Sequence, residues 1–186
     1  CHVSTKEAIE EVRRGKAQGV NLTCEVTPHH IALWDNDYKV NPPIRTKEDV
    51  DALIEGIIDG TVDAIATDHA PHTGEDKLKG APGLSGIETA FPVSYTSLVK
   101  NGKIDLKKLS KLMSGNPGKI MGVRKGKIEK AYDGDVVLID LDKEILIDSQ
   151  KFLSKGKNTP FNGMKLYGQV MMTIKGGEIK YSNKDL

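Results

Sequence analysis

The stretch Ala66-Thr67-Asp68-His69-Ala70-Pro71-His72 gathers one carboxylate and two imidazoles within five positions. Side chains of these types suit metal binding or proton transfer. They follow a short apolar run, residues 64–66, that reads as a buried strand. The carboxyl ends of buried strands are where barrel and open α/β enzymes carry their chemistry. Taken alone, the seven residues fit equally well a polar loop with Asp68 capping the next turn. Two other stretches read as strand ends carrying His, one at Cys1-His2-Val3-Ser4 and one at Thr27-Pro28-His29-His30.

The elements that must position these groups follow from periodicity. Ser4-Thr5-Lys6-Glu7 has the Ser-x-x-Glu spacing of a capping box, and Ala8, Ile9 and Val12 mark one face of a helix ending near Gly19. Residues 22–26 read as a strand. Thr46 and Asp49 cap a second helix, in which Val50, Leu53, Ile54, Ile57 and Ile58 form an apolar stripe that stops at Asp59-Gly60. Strand, helix, strand, helix, strand therefore repeats over residues 1–68, which implies parallel strands with helical crossovers. A Gly-rich loop after Asp68, through Gly74, Gly80, Pro82, Gly83 and Gly86, is long enough to cover a site. Residues 87–100, 106–113 and 116–121 are expected to be helical. Beyond Gly126 the pattern turns to strands at 136–140, 144–148 and 170–174, with a Gly176-Gly177 hairpin before a last strand at 178–181. A domain boundary is placed near residue 124, dividing 1–124 from 125–186.

Composition narrows the class. The chain has 186 residues, 38% of them apolar and 28% charged, with 27 basic against 26 acidic side chains and a net charge of +1. That balance supports neither a nucleic-acid nor an anionic-membrane partner. Cys1 and Cys24 are the only cysteines, and neither lies in a C-x-x-C pair. This excludes a disulfide framework and a thiolate zinc knuckle and fits a reduced, cytoplasmic setting. No apolar run reaches membrane-spanning length. The chain opens without an initiator Met, at what reads as the end of a strand, so it is expected to be the carboxyl-terminal part of a longer protein.

Six segments carry a family resemblance: Cys-His-Val-Ser-Thr-Lys at 1–6, Glu-Val-Thr-Pro-His-His at 25–30, Asn-Pro-Pro-Ile-Arg at 41–45, Ala-Thr-Asp-His-Ala-Pro-His at 66–72, Glu-Thr-Ala-Phe-Pro at 88–92 and Asn-Thr-Pro-Phe-Asn-Gly at 158–163. In this order they resemble the carboxyl-terminal part of the dihydroorotases of the amidohydrolase superfamily. The resemblance implies an α/β fold: the last three strands and helices of a (β/α)8 TIM-type barrel, plus a small carboxyl-terminal β-sandwich portion. It implies zinc, one or two ions, and the reversible closure of N-carbamoyl-L-aspartate to dihydroorotate in pyrimidine biosynthesis.

Position by position, the resemblance makes His2 a metal ligand. It makes Asp68 both a metal ligand and the base that takes the proton of the attacking hydroxide. It gives His72 the substrate carboxylate and Asn41 the cyclic imide, and it sets backbone groups of Pro82 and Gly83 against the ring. His29 and His30 rank lower, as supporting or packing groups, and His69 as a shaper of its loop. Arg45 is expected in a structural salt bridge, and Trp34 and Tyr38 in packing. The family's early His-x-His pair, bridging modified Lys and fifth-strand His all fall upstream of residue 1, which predicts that residues 1–186 by themselves are inactive. The expected partner is the small-molecule substrate, with a homo-oligomer or association with aspartate carbamoyltransferase also compatible. Two other readings stay open: a related cyclic-amide hydrolase of hydantoinase or allantoinase type, and a non-catalytic module of a pyrimidine-pathway assembly.

Overall fold

The computed structural model describes residues 1–183. Helix α1 (Lys6–Ala17) leads to strand β1 (Glu25–Val26), the short helix α2 (Pro28–Ala32), helix α3 (Lys47–Asp59) and strand β2 (Ala64–Ile65). Strands β1 and β2 pair in parallel, Glu25 opposite Ala64 and Val26 opposite Ile65. The pairing continues one residue on, where Ala66 N–H donates to the Val26 carbonyl at 3.0 Å. The first segment lies against β1 through one backbone–backbone bond among the described residues, Val3 N–H to Glu25 O at 3.0 Å. One bond does not make a ladder, so two parallel strands form where three were expected, and both are shorter than their apolar runs.

The caps explain where the helices start. Thr46 and Asp49 form the expected capping box on α3, and Gly60, at φ 87°, ends that helix in the left-handed region that glycine tolerates. At α1 the expected Ser4–Glu7 box does not form. Thr5 is the N-cap, its hydroxyl accepting from Ala8 N–H at 3.1 Å, while Ser4 is buried and Glu7 is exposed. The Lys6 amide goes instead to Asp49 Oδ1, at 2.9 Å, so one carboxylate serves both helix starts. The two helices approach closely, since a Cβ at Gly56 would lie 2.7 Å from Ile9 Cγ1.

After Asp68 a one-and-a-half-turn helix α4 (Gly74–Leu78) interrupts the loop, capped by Thr73 and Asp76. Helix α5 (Ala90–Ser94) widens into a π-turn over Tyr95–Lys100, and α6 (Leu106–Ser110) does the same over Lys111–Gly115 before α7 (Asn116–Ile120). An antiparallel sheet of β3 (Val136–Leu146), β4 (Lys165–Lys175) and β5 (Glu178–Ser182) follows, with β4 central. The two strands expected at 136–140 and 144–148 are one bulged strand.

Two apolar clusters hold these parts. Ile9, Val26, Leu53, Ile57, Ile65, Leu98 and Leu112 belong to the first, between the helices and β1–β2. Leu33, Val40, Leu84, Val93, Phe161 and Leu166 belong to the second, under the loops that follow the strands. The apolar stripe of α3 is buried at Val50, Leu53 and Ile57, whereas Ile58, at its margin, is 46% exposed. Strand β4 joins the sheet to the helical part: Tyr167 N–H donates to Thr96 Oγ1 at 2.8 Å, and a Cβ at Gly168 would lie 2.7 Å from Phe91 Cε1.

Candidate active site

The ends of the first segment, β1 and β2 meet at His2, Glu25, His29 and Asp68. His2 Nε2 stands 3.5 Å from Asp68 Oδ1, and His29 Nε2 stands 4.0 Å from Asp68 Oδ2. Both His2 and Asp68 have left-handed backbones, at φ 54° and 48°. Residues other than glycine adopt that region at an energetic cost, and such positions gather at functional sites. Glu25 Oε1 accepts from the His2 backbone N–H at 2.6 Å and lies 2.6 Å from its Nδ1. A carboxylate thus flanks the ring nitrogen that faces away from Asp68.

His29 and His30 are neighbours with opposite environments. Pro28 and the Thr27 cap set them on the one turn of α2. His30 is satisfied on both sides: Nε2 donates to Pro42 O at 2.9 Å, which leaves Nδ1 to accept from the Thr27 hydroxyl at 2.8 Å. This packing role agrees with the sequence reading. His29 is fully buried, and neither of its ring nitrogens has a hydrogen-bond partner. Burial, reinforced by His30 and His2, lowers its pKa to about 3, so the ring is neutral and keeps a lone pair available. A buried imidazole with both nitrogens unmet, turned towards a carboxylate, is costly without a further partner.

The loop between Asp68 and Gly86 brings the other candidates together. His69 Nδ1 accepts from Gly86 N–H and Ile87 N–H, at 3.2 and 3.3 Å, and Ala70 N–H donates to Leu84 O at 3.0 Å. His69 therefore shapes the loop, as expected. His72 Nε2 donates to Pro82 O at 2.8 Å, so Nδ1 is the nitrogen left free for a ligand. Gly83, at φ 135°, closes the turn. A Cβ there would lie 2.6 Å from Ala70 O and 3.0 Å from His72 Cδ2. Gly83 N–H donates to Lys39 O at 3.0 Å, which places this loop against the segment leading to Asn41. Asn41 is exposed, precedes a cis peptide to Pro42, and makes no side-chain hydrogen bond among the described residues.

A strap from the carboxyl-terminal part crosses this loop. Asn158 Nδ2 donates to His72 O at 2.9 Å and Asn158 O accepts from Ser85 N–H at 2.7 Å. Glu88 accepts from the amides of Leu153 and Ser154, both at 3.1 Å. Asn158 and Glu88 lie in two of the segments that carry the resemblance, yet local sequence gives them no role, because both act across more than sixty residues. Other expectations change. Arg45 is exposed and has no ion pair among the described residues, and its backbone carbonyl accepts from Asp35 N–H. Trp34 is 48% exposed with Lys47 over its ring, whereas Tyr38 packs against the second cluster.

Two donors on one tetrahedral zinc, each at about 2.0–2.2 Å, stand roughly 3.4 Å apart. The 3.5 Å between His2 Nε2 and Asp68 Oδ1 fits that span, and the neutral, unpartnered His29 stands beside it. No group of three or more His, Cys, Asp or Glu side chains among the described residues is placed to hold a metal ion. A catalytic zinc typically takes about three protein ligands. The donors here are thus the right kind and separation for part of a metal site.

Residues 1–180 match the amidohydrolase family. The chain is 57% identical over 183 residues to a dihydroorotase of Clostridium botulinum, covering 97% of this chain and 46% of that protein. It is 50% identical to a dihydroorotase of Bacillus subtilis, covering 97% of this chain and 45% of the relative. The chain thus spans about half the length of the curated relatives it matches. Among solved structures, an L-hydantoinase (dihydropyrimidinase) from Arthrobacter aurescens superposes with a TM-score of 0.92 at 29% identity, over 97% of this chain and 44% of that one. A dihydropyrimidinase from Brevibacillus agri gives 0.92 at 26% identity, over 98% and 44%. No helix among the described residues is long and apolar enough to cross a membrane.

Proposed function

The chain belongs to the amidohydrolase family, and on that premise we propose that it is the carboxyl-terminal part of a dihydroorotase. The reaction is the reversible, zinc-dependent closure of N-carbamoyl-L-aspartate to dihydroorotate. In this reading β1, β2 and the segment before α1 are the last strand positions of a (β/α)8 barrel. Residues beyond about 124 contribute to a small β-sandwich. The observation that carries the proposal is the meeting of His2 and Asp68 at adjacent strand ends, 3.5 Å apart, both on left-handed backbone.

Each residue has a role in this reading. His2 and Asp68 would hold zinc together with ligands from the rest of the protein. When bound, the metal lowers the pKa of water and polarises the ring amide. Asp68, with two oxygens turned to two imidazoles, takes the proton of the attacking water and returns it to the departing amide nitrogen. Glu25 flanks Nδ1 of His2 and holds its backbone amide, which orients the ring. His72 offers Nδ1 to the substrate carboxylate while Pro82 O holds Nε2. Asn41 can both donate to and accept from the cyclic imide. The Gly83 turn lets the backbone at 82–83 approach the ring, because a side chain there would strike Ala70 and His72.

The hydantoinase structures favour a second reading, a cyclic-amide hydrolase of that type, but their identities of 26–29% lie well below those to the dihydroorotases. Turnover of dihydroorotate, hydantoin and allantoin by the complete zinc-loaded protein separates the two. Dihydroorotate is expected to be the preferred substrate by kcat/KM, and preference for hydantoin would overturn the proposal.

A further inference from the structure

Lys77 differs from the other lysine of the site loop. Lys79, two residues on, pairs with Glu75 in solvent. Lys77 has no carboxylate partner among the described residues, and its ammonium donates to three backbone carbonyls: Lys39 O at 3.0 Å, Ala81 O at 2.9 Å and Gly83 O at 2.8 Å. An ammonium has three donors, so all are used. The same nitrogen lies 4.4 Å from the centre of the Tyr38 ring, a cation–π contact that closes the remaining side. Burial, and then the charge of Lys39, push its pKa below the usual lysine value.

The three carbonyls come from two separate stretches of chain. Lys39 lies two residues before Asn41, and its carbonyl also accepts from Gly83 N–H. Ala81 and Gly83 flank Pro82, whose own carbonyl holds the His72 ring. Fixing the carbonyls on both sides of Pro82 fixes the direction in which its carbonyl points. We propose that Lys77 is a positioning residue of the substrate site, its ammonium pinning the 39–41 segment to the 81–83 turn and so setting Asn41, Gly83 and the His72 ring relative to one another. The substrate consequence rests on the dihydroorotase reading; the pin itself does not. A planar guanidinium directs its donors along a fixed fork and cannot converge them on three carbonyls around one point, so arginine is not a substitute.

The test uses the complete zinc-loaded protein with Lys77→Met, Lys77→Arg and, as a control, Lys79→Met. Expected for Lys77→Met are a rise in KM for dihydroorotate of about tenfold and a kcat within about threefold of the parent. Zinc content should stay unchanged, and hydrogen exchange at the Gly83 amide should accelerate. Lys77→Arg should share the KM defect, and Lys79→Met should behave as the parent. A KM within about twofold of the parent in folded Lys77→Met, or full recovery by arginine, overturns the proposal. If Lys77→Met does not fold, Lys77→Arg decides by the same two readouts. If the parent itself does not turn over dihydroorotate, the functional reading fails, and exchange at Gly83 still decides the pin: an unchanged rate in the variants overturns it.

Discussion

At the scale of single residues the site divides into groups that hold a charge and groups that hold a shape. Asp68 is the clearest of the first kind, with each carboxylate oxygen turned to a different imidazole. On the proposed reading, Asp68→Asn in the complete protein keeps the volume and removes the base. The kcat should fall by about 10²–10⁴-fold, the usual range for losing a general base, and steady-state kinetics on dihydroorotate checks it. Near-parental turnover would show that another group moves the proton. His72 carries a different prediction. Its Nε2 is committed to Pro82, so only Nδ1 reaches a ligand. Removing a charge-assisted hydrogen bond costs about 1.5–3 kcal/mol, so His72→Ala should raise KM about tenfold or more. Elemental analysis should find its zinc unchanged; loss of zinc would make His72 a metal ligand.

At the scale of elements, short pieces of secondary structure are fixed by side chains that reach out of them. Asp49 caps α3 and also takes the Lys6 amide at the start of α1, and Asn158 ties two arms of the site loop. The β4–β5 hairpin is anchored in the same manner. Asp135 accepts from Lys125 Nζ at 2.5 Å and from Gly176 N–H at 2.8 Å, with Lys175 at 3.4 Å. The hydrogen bond from Lys125, then that from Gly176, holds the Asp135 pKa down to about 2. An unfolded aspartate titrates near 3.9, so protonation favours the unfolded chain. The anchor's contribution is therefore fully present above about pH 4 and is lost as pH falls towards 2. Thermal unfolding of Asp135→Asn against the parent should show a lower Tm at pH 6 and a gap that closes as pH approaches 2. A gap that is constant with pH would mean that the charge of Asp135 does not hold the hairpin.

At the scale of the whole molecule, β1 and β2 make a parallel pair of only two residues each, and the antiparallel sheet leaves apolar side chains bare. Val137, Leu138 and Ile179 are 49%, 42% and 60% exposed. Bare sheet edges and apolar patches invite association. Residues 1–186 purified by themselves should therefore self-associate in sedimentation, bind zinc weakly and fail to hydrolyse dihydroorotate, for they offer two suitably placed ligands where about three are typical. Robust turnover by the mass-verified chain with added zinc would show that His2 and Asp68 recruit a third ligand from within it, with His29 the best placed.

The sequence by itself marked the longer helices and the turns that bound them, because amphipathic spacing and caps are local: the α3 stripe, the Thr46 box, the Gly60 stop and the Gly176-Gly177 hairpin all stand where periodicity and turn chemistry put them, whereas the short helices α2 and α4 carry no such stripe. It also singled out Asp68, a titratable group directly after an apolar run, and, through the family resemblance, His2 before the first helix cap. Tertiary structure decided the rest. Whether residues 1–4 form a strand depended on backbone partners along β1, and among the described residues they found one backbone–backbone bond there. Ser4 lost the cap to Thr5 when packing buried it and gave the Lys6 amide to Asp49. His29 and His30 look interchangeable in the chain. Only the approach of Pro42 and Asp68, from other parts of the fold, left one ring satisfied and the other bare. Lys77 gave no local signal, because its three acceptors are carbonyls, which every residue has, and only the folding of two loops onto one nitrogen distinguishes them.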